Sequence, residues 1–187
     1  MIKFENVTFS YKGEKKKIFE NFSLYIKEGQ RIHLTGASGK GKTTLLRLIA
    51  GLEKAKKGSV KIKDNAKISV VFQEDRLIDF VSVKKNISLF SSNEKAEELL
   101  CELGLEDCSY MSVDELSGGM KRRVALARAL SKDFDILLLD EAFNGLDEET
   151  LFNVCDVVNR YTKDKTVILV SHHEKEAQLL CAERVEI

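Results

Sequence analysis

Gly36-Ala37-Ser38-Gly39-Lys40-Gly41-Lys42-Thr43 narrows the architecture more than any other run of the chain. It satisfies the pattern G-x-x-x-x-G-K-[ST], and each fixed position has a physical reason. Glycines let the backbone turn tightly and approach an anion, so that successive N–H groups form a concave nest. Lys42 adds a point charge for the β- and γ-phosphates of a nucleotide, and the Thr43 hydroxyl can ligate Mg²⁺. Lys40 competes for the phosphate role, but the spacing from Gly36 and the threonine that follows select Lys42. Upstream, Arg31 to Thr35 reads as a strand. Downstream, Thr44 to Ala50 reads as a helix ending at Gly51, a C′ glycine. Strand, loop and helix in that order point the helix N-terminus at the phosphates, which a chance Gly/Lys-rich turn would not do.

Outward from the loop, the 187 residues divide by apolar pattern. Alternation in Ile2, Phe4, Val7 and Phe9, and again in Phe22, Leu24 and Ile26, predicts two half-buried strands around a basic turn, Lys12 to Lys17. That charge run reads as a solvated hairpin tip. Short strands follow near Val60–Ile62 and Ile68–Phe72. From about Ile78 to Leu130 helical patterns dominate, one of them Glu94 to Leu103 stopping at Gly104. Ile136-Leu137-Leu138-Leu139-Asp140 is a continuous apolar run, typical of a strand buried on both faces. A helix from about Glu148 has Asp147 as its N-cap and places Leu151, Val154, Cys155 and Val158 on one face. Thr166 to Val170 gives another buried strand, then a helix and a last strand at Arg184–Ile187. The predicted fold is α/β, with a mostly parallel central sheet, an N-terminal antiparallel β region and a helical insertion.

Composition narrows the class. Thirty basic and thirty acidic residues leave no net charge, which argues against a generally nucleic-acid-binding surface and leaves room only for a local patch. No apolar stretch approaches membrane-spanning length, and Met1 to Asn6 lacks a signal-peptide pattern, so a soluble intracellular chain is expected. Cys101, Cys108, Cys155 and Cys181 show no C-x-x-C spacing and read as free, mostly buried thiols. The chain has no proline, for which we have no functional account.

Two further constellations carry chemistry. Asp140 ends an apolar strand on the edge where parallel sheets bind ligands, so it can support the Mg²⁺ shared with Thr43. Glu141, next along, can orient or deprotonate an attacking water; the same pair could also simply cap the strand. Leu116-Ser117-Gly118-Gly119-Met120 precedes a helix predicted over Lys121–Leu130. Two glycines weaken a helix start, and Lys121, Arg122 and Arg123 in its first turn oppose the macrodipole. Both penalties make sense if this N-terminus lies against an anion; a flexible loop before a basic surface helix fits equally well.

Here the sequence resembles the ATP-binding subunit of an ABC (ATP-binding cassette) transporter. Leu116 to Met120 is similar to that family's LSGGQ signature, and Arg123 to Leu130 continues the pattern. Tyr11 resembles the aromatic that stacks on adenine, Gln73 the glutamine loop that contacts the metal, and Ile136 to Glu141 the Walker B strand with its catalytic glutamate. Asn144-Gly145-Leu146-Asp147 resembles the D-loop, and Ser171-His172 the switch histidine that contacts the γ-phosphate. Duller readings stand beside these: Tyr11 packing in its hairpin, Gln73 ending a strand, His172 as a structural histidine. His173 is expected to face solvent and His33 to pack within its strand. Met120 replaces the signature glutamine, Ala37 stands where many relatives carry proline, and the D-loop begins Asn-Gly rather than Ser-Ala.

The resemblance implies one domain over 1–187, with a RecA-like P-loop NTPase core at about 1–77 and 131–187 and a helical subdomain at about 78–130. It implies ATP and Mg²⁺ as cofactors. ATP would lie between Gly36, Ala37, Ser38, Gly39, Lys40, Gly41, Lys42, Thr43 and Thr44 of one subunit and the partner's Ser117, Gly118 and Gly119, in a head-to-tail homodimer or a pair with another ABC subunit. Thr43, Gln73 and Asp140 would serve the metal, and Glu141, His172, Lys42 and Gln73 catalysis. A separate transmembrane permease would hold the subunit on the cytoplasmic face of the membrane, docking near Asp75 to Ile87. No direct nucleic-acid partner is expected. That stretch faintly resembles importers of nitrate, sulfonate or taurine type, and the residues before Leu116 lack the Thr-Glu-Val-Gly-like pattern of many exporters, which favours import. The competing readings are a non-transport ABC ATPase acting on DNA or ribosomes, and a P-loop kinase or GTPase. Against the first, Gln73 and Ser117 lie too close for a long coiled-coil insertion and the chain carries one cassette. Against the second, no Asn-Lys-x-Asp motif is present.

Overall fold

Two kinds of apolar pattern sort the strands into two sheets. The computed structural model describes residues 1–187. The alternating strands β1 (Ile2–Phe9), β2 (Phe19–Ile26) and β4 (Lys57–Ile62) form an antiparallel sheet in the order β2-β1-β4. The short apolar strands β3 (Arg31–Thr35), β5 (Ile68–Val71), β6 (Ile136–Asp140), β7 (Thr166–Val170) and β8 (Glu183–Glu186) form a parallel sheet in the order β5-β6-β7-β3-β8. Every residue of β6 and β7 is buried, as a strand covered on both faces requires.

The period of two along β6 divides the core. Ile136 and Leu138 point into a cluster with Phe4, Phe9, Ile32 and Leu34 and with Leu45, Leu46, Leu48 and Ile49 of α1 (Lys42–Ile49). Leu137 and Leu139 point into a second cluster with α4 (Gly118–Leu130) and α5 (Glu148–Tyr161). The short helix α6 (Glu174–Leu179) precedes β8. Between β5 and β6 the chain inserts α2 (Val83–Ser88), α3 (Asn93–Glu102) and α4, and residues such as Ile87, Leu99 and Leu126 share the second cluster with the sheet. The expected α/β fold, with its parallel sheet, antiparallel β region and helical insertion, is the fold observed.

Local signals held where chemistry was explicit. Gly51 has φ +70; its N–H donates to the Leu48 carbonyl at 3.2 Å, and the Leu52 N–H reaches the Arg47 carbonyl at 3.0 Å, the bond pair of a Schellman cap. The Asp147 carboxylate accepts from the Thr150 N–H at 2.9 Å, capping α5. Three expectations need correction. Strand β4 begins at Lys57 rather than near Val60, because it pairs along β1 as far as Thr8. Cys101 and Cys181 are exposed; all four thiols are free, but only Cys155 is fully buried, and burial pushes it up to about 12. Helix α4 starts at Gly118, not Lys121, because the Ser117 hydroxyl accepts from the Met120 N–H at 3.3 Å and caps it three residues early. Lys121, Arg122 and Arg123 therefore lie beyond the first turn, and the macrodipole argument drawn from them does not apply.

Candidate functional site

The carboxyl edge of the parallel sheet gathers the ends of three strands. Thr35 closes β3, Asp140 closes β6 opposite Val170, and Ser171-His172 follow β7. A cleft of about 410 Å³ opens there, lined by Ser38, Gly39 and Gly41 to Thr44 of the glycine loop with Tyr11, Gln73, Asp140, Glu141, Asn144 and His172. Many of the residues expected around a nucleotide thus converge from separate stretches of chain, but Gly36, Ala37 and Lys40 of the loop are not among those lining the cleft. Ser117, Gly118 and Gly119 do not line the cleft.

The loop is shaped by glycine where nothing else would serve. Gly41 holds φ +100, and a Cβ there would meet Ile18 Cγ2 at 2.5 Å and the Phe19 ring at 2.8 Å. Lys42 is buried, and its ammonium turns back into the loop, donating to the Gly36 carbonyl at 2.7 Å and the Ala37 carbonyl at 3.3 Å. Lys40 is exposed and does not line the cleft. The Tyr11 ring packs edge-on against Phe9, with centroids 5.1 Å apart. Its hydroxyl lies 3.0 Å from the Thr44 hydroxyl and accepts from Arg47 at 3.4 Å. This tethers the aromatic over the start of α1.

Three acidic and basic groups face the loop. The Thr43 hydroxyl donates to Asp140 Oδ1 at 3.2 Å. Burial holds the Asp140 carboxyl above its usual range, with the neighbouring Glu141 charge adding to the effect and the Thr43 bond opposing it. Glu141 is buried with φ +50, a left-handed backbone uncommon for a residue with a Cβ. Its N–H continues the sheet by donating to the Val170 carbonyl at 2.9 Å, so the turn follows at once. One carboxylate oxygen, Oε2, is buried without a partner, and Oε1 lies 3.4 Å from His172 Nε2. A buried, unsatisfied carboxylate costs stability unless something else binds it. These oxygens fit a hard divalent cation: Thr43 and Asp140 offer ligands of the right kind, and burial leaves Asp140 short of a counter-charge. No group of three His, Cys, Asp or Glu residues could cage an ion unaided, so such an ion would complete its shell from phosphate oxygens and water.

His33 and His173 behave as expected. His33 is buried and its Nε2–H donates to the Ser171 carbonyl at 3.0 Å, supporting the loop that carries His172. His173 is exposed. One polar residue not anticipated organises the helical insertion away from the cleft. Asn86 is fully buried; its Oδ1 accepts from the Ile78 N–H at 2.9 Å, and its amide donates to the carbonyls of Ile78, Val81 and Ser82.

Comparison with known proteins gives the same answer from another direction. The family model described as ABC transporter matches residues 19–144. The thiamine import ATP-binding protein ThiQ of Haemophilus influenzae (strain 86-028NP) is 37% identical over 175 residues, covering 83% of this chain and 81% of that protein. The aliphatic sulfonates import ATP-binding protein SsuB of Bacillus subtilis (strain 168) is 36% identical over 193 residues, covering 96% and 76%. Among solved structures, the dimeric post-hydrolysis state of the ATP-binding cassette MJ0796 bound to ADP and Pi superposes with a TM-score of 0.89 at 30% identity, covering 100% of this chain and 94% of that one. Motif order, cleft and relatives agree, and the chain belongs to the ABC transporter family as an ATP-hydrolysing, nucleotide-binding subunit.

Proposed function

We propose that ATP binds in the cleft between Tyr11 and His172, with its phosphates in the Gly36–Thr44 loop and its base against the Tyr11 ring. The observation that carries this reading is the convergence of Lys42, Thr43, Asp140, Glu141 and His172 on one cleft. Phosphoryl transfer to water asks the protein mainly for positioning and charge stabilisation. Lys42 exchanges its bonds to two loop carbonyls for phosphate oxygens. Thr43 and Asp140, with Gln73 alongside, would hold Mg²⁺, which when bound offsets charge on the phosphates. Glu141, which lines the cleft and has one carboxylate oxygen without a hydrogen-bond partner, orients the attacking water and accepts its proton. His172, within 3.4 Å of Glu141, contacts the γ-phosphate.

The second half of the site comes from another cassette. Ser117 to Gly119 lie outside the cleft, at an exposed helix start, which suits contact with ATP held by a partner subunit. Closure on ATP and reopening after hydrolysis then bias a two-state dimer. A separate permease would provide the translocation path, in keeping with relatives named as import ATP-binding proteins. Phe80 is 95% exposed and Tyr110 84% exposed. They flank a short antiparallel bridge between Ser82 and Ser112, offering an apolar face for that subunit. We assign the direction as import, in keeping with relatives named for import of thiamine and sulfonates.

The test is Glu141→Gln. It should bind ATP, lose roughly 10²- to 10⁴-fold in turnover as expected for a general base, and accumulate an ATP-bound dimer on a sizing column. Brisk multiple turnover by that variant would refute the role assigned to Glu141.

A further inference from the structure

Arg122 does not line the nucleotide cleft. Its guanidinium is only 10% exposed and is turned towards the loop after β5, where Nη1 donates to the Phe72 carbonyl at 2.8 Å and Nη2 to the Gln73 carbonyl at 2.6 Å. Nη1 also lies 3.1 Å from Asp75 Oδ1, within ion-pair reach but without hydrogen-bond geometry. We propose that Arg122 is a positioning residue for ATP hydrolysis: its planar fork fixes the backbone at Phe72-Gln73, and so sets where the Gln73 amide stands in the cleft.

Three observations carry this. First, Gln73 has an exposed side chain on the cleft wall and makes no side-chain hydrogen bond, so its direction follows the backbone that Arg122 grips. Second, the grip continues along α4: Arg128 donates to the Asp75 carbonyl at 3.0 Å and to the Arg76 carbonyl at 2.8 Å. Arg76 itself has φ +48 and lays its guanidinium 3.7 Å from the Phe72 ring centroid. The segment carrying Gln73 is thus seated on α4 rather than continued by sheet pairing, which ends at Val71. Third, the first turn of α4 abuts the opposite wall too. A Cβ on Gly119 would stand 3.0 Å from the Gly145 carbonyl, beside Asn144 of the cleft. Any shift of the Ser117–Met120 turn therefore moves Gln73 through Arg122 and presses on the Asn144-Gly145 turn. Contact of that helix start with a partner's nucleotide is then felt at this subunit's own cleft.

A buried ion pair with Asp75 could exist for stability alone, and the chemistry of the side chains separates the two roles. A lysine at 122 keeps the charge and can pair with Asp75, but a single ammonium cannot reproduce the bidentate fork on two successive carbonyls. The proposal rests on the reading of Gln73 as a group that contacts the nucleotide–metal complex, so both are tested together. Purified full-length chain, Arg122→Lys, Gln73→Ala, the double variant and Asp75→Asn are compared for kcat and KM of ATP hydrolysis, and for melting temperature. Arg122→Lys should melt with the parent yet lose about 10- to 100-fold in kcat, the scale of a misplaced catalytic contact, with KM changed less than about threefold. Gln73→Ala should fall by a similar factor, and the double variant no further than either alone, because the two residues act along one route. Asp75→Asn, which keeps the carbonyl fork, should retain kcat within about threefold. Parental kcat in Arg122→Lys with Gln73→Ala impaired, multiplicative losses in the double variant, or an equal fall in Asp75→Asn would overturn the proposal. Parental kcat in Gln73→Ala would instead overturn the reading of Gln73, and the Arg122 proposal with it.

Discussion

Gly118 and Gly119 are adjacent residues of one helix turn, yet they have different surroundings, and that difference yields a sharp prediction. A Cβ added at Gly118 meets nothing within 4 Å, whereas one at Gly119 would press on the Gly145 carbonyl at 3.0 Å. Neither residue has positive φ, so alanine fits the backbone at both. Inside this chain, then, nothing requires glycine at 118. Replacing helical glycine with alanine is worth up to about 0.5–1 kcal/mol through lost backbone freedom in the unfolded chain. For a chain of this size each kcal/mol moves the melting midpoint by about 2–4 °C, so Gly118→Ala should melt about 1–4 °C higher. If the helix start closes on a partner's nucleotide, the same methyl group stands where a phosphate must approach the backbone. The variant should then bind ATP normally as a monomer but fail to form the ATP-bound dimer in the Glu141→Gln background. Thermal melts with and without ATP, nucleotide titration and sizing chromatography read these quantities separately. A Gly118→Ala variant that is more stable and also dimerises and hydrolyses ATP at the parental rate would refute the reasoning. Loss of stability would refute the structural half of it.

Other expectations follow from single contacts. Lys42→Ala removes a charge-assisted donor worth about 1.5–3 kcal/mol and should weaken ATP binding by roughly 10- to 150-fold in an equilibrium titration; unchanged affinity would count against the assigned loop. Glu176 is buried at the start of α6 with Oε2 unpartnered, and burial raises its carboxyl above the ordinary 4.5. Because the folded state holds the proton more tightly, the stability this provides is complete below pH 4.5 and is lost as pH rises through the elevated folded value. Glu176→Gln should therefore melt higher than the parent at neutral pH and show a flatter pH–stability profile above pH 4.5. Phe80→Asp changes a side chain that is 95% exposed, so the isolated subunit should keep its fold and ATP turnover. Co-purification with the permease should be lost, and retained association would move the docking face elsewhere.

Much of this site was legible before any coordinates because its parts are local. The nest around Lys42 needs only glycines at fixed offsets, and the strand–loop–helix order around it is written in consecutive residues. The same holds for the Gly51 cap, the Asp147 cap and the buried runs of β6 and β7, whose residues share one continuous stretch each. The position of Asp140 at a strand end followed from the length of an apolar run. The start of α4 was misjudged because propensity counted against two glycines, while a serine cap and packing against Gly145 outweighed that cost.

The nucleotide loop, the parallel sheet beneath it and the order of the motifs are therefore set locally along the chain. What the long basic side chains do depends on packing between distant elements. Arg122 and Arg123 looked like a basic helix start, but Arg122 reaches Phe72 and Gln73, and Arg123 donates to the Leu103 carbonyl at 2.7 Å and the Gly104 carbonyl at 2.9 Å. A glycine acts through its own backbone, so its neighbours in sequence reveal its role. An arginine acts several ångströms away: Arg122 reaches a carbonyl 50 residues distant, and only the packing of α4 against the end of β5 brings it within reach.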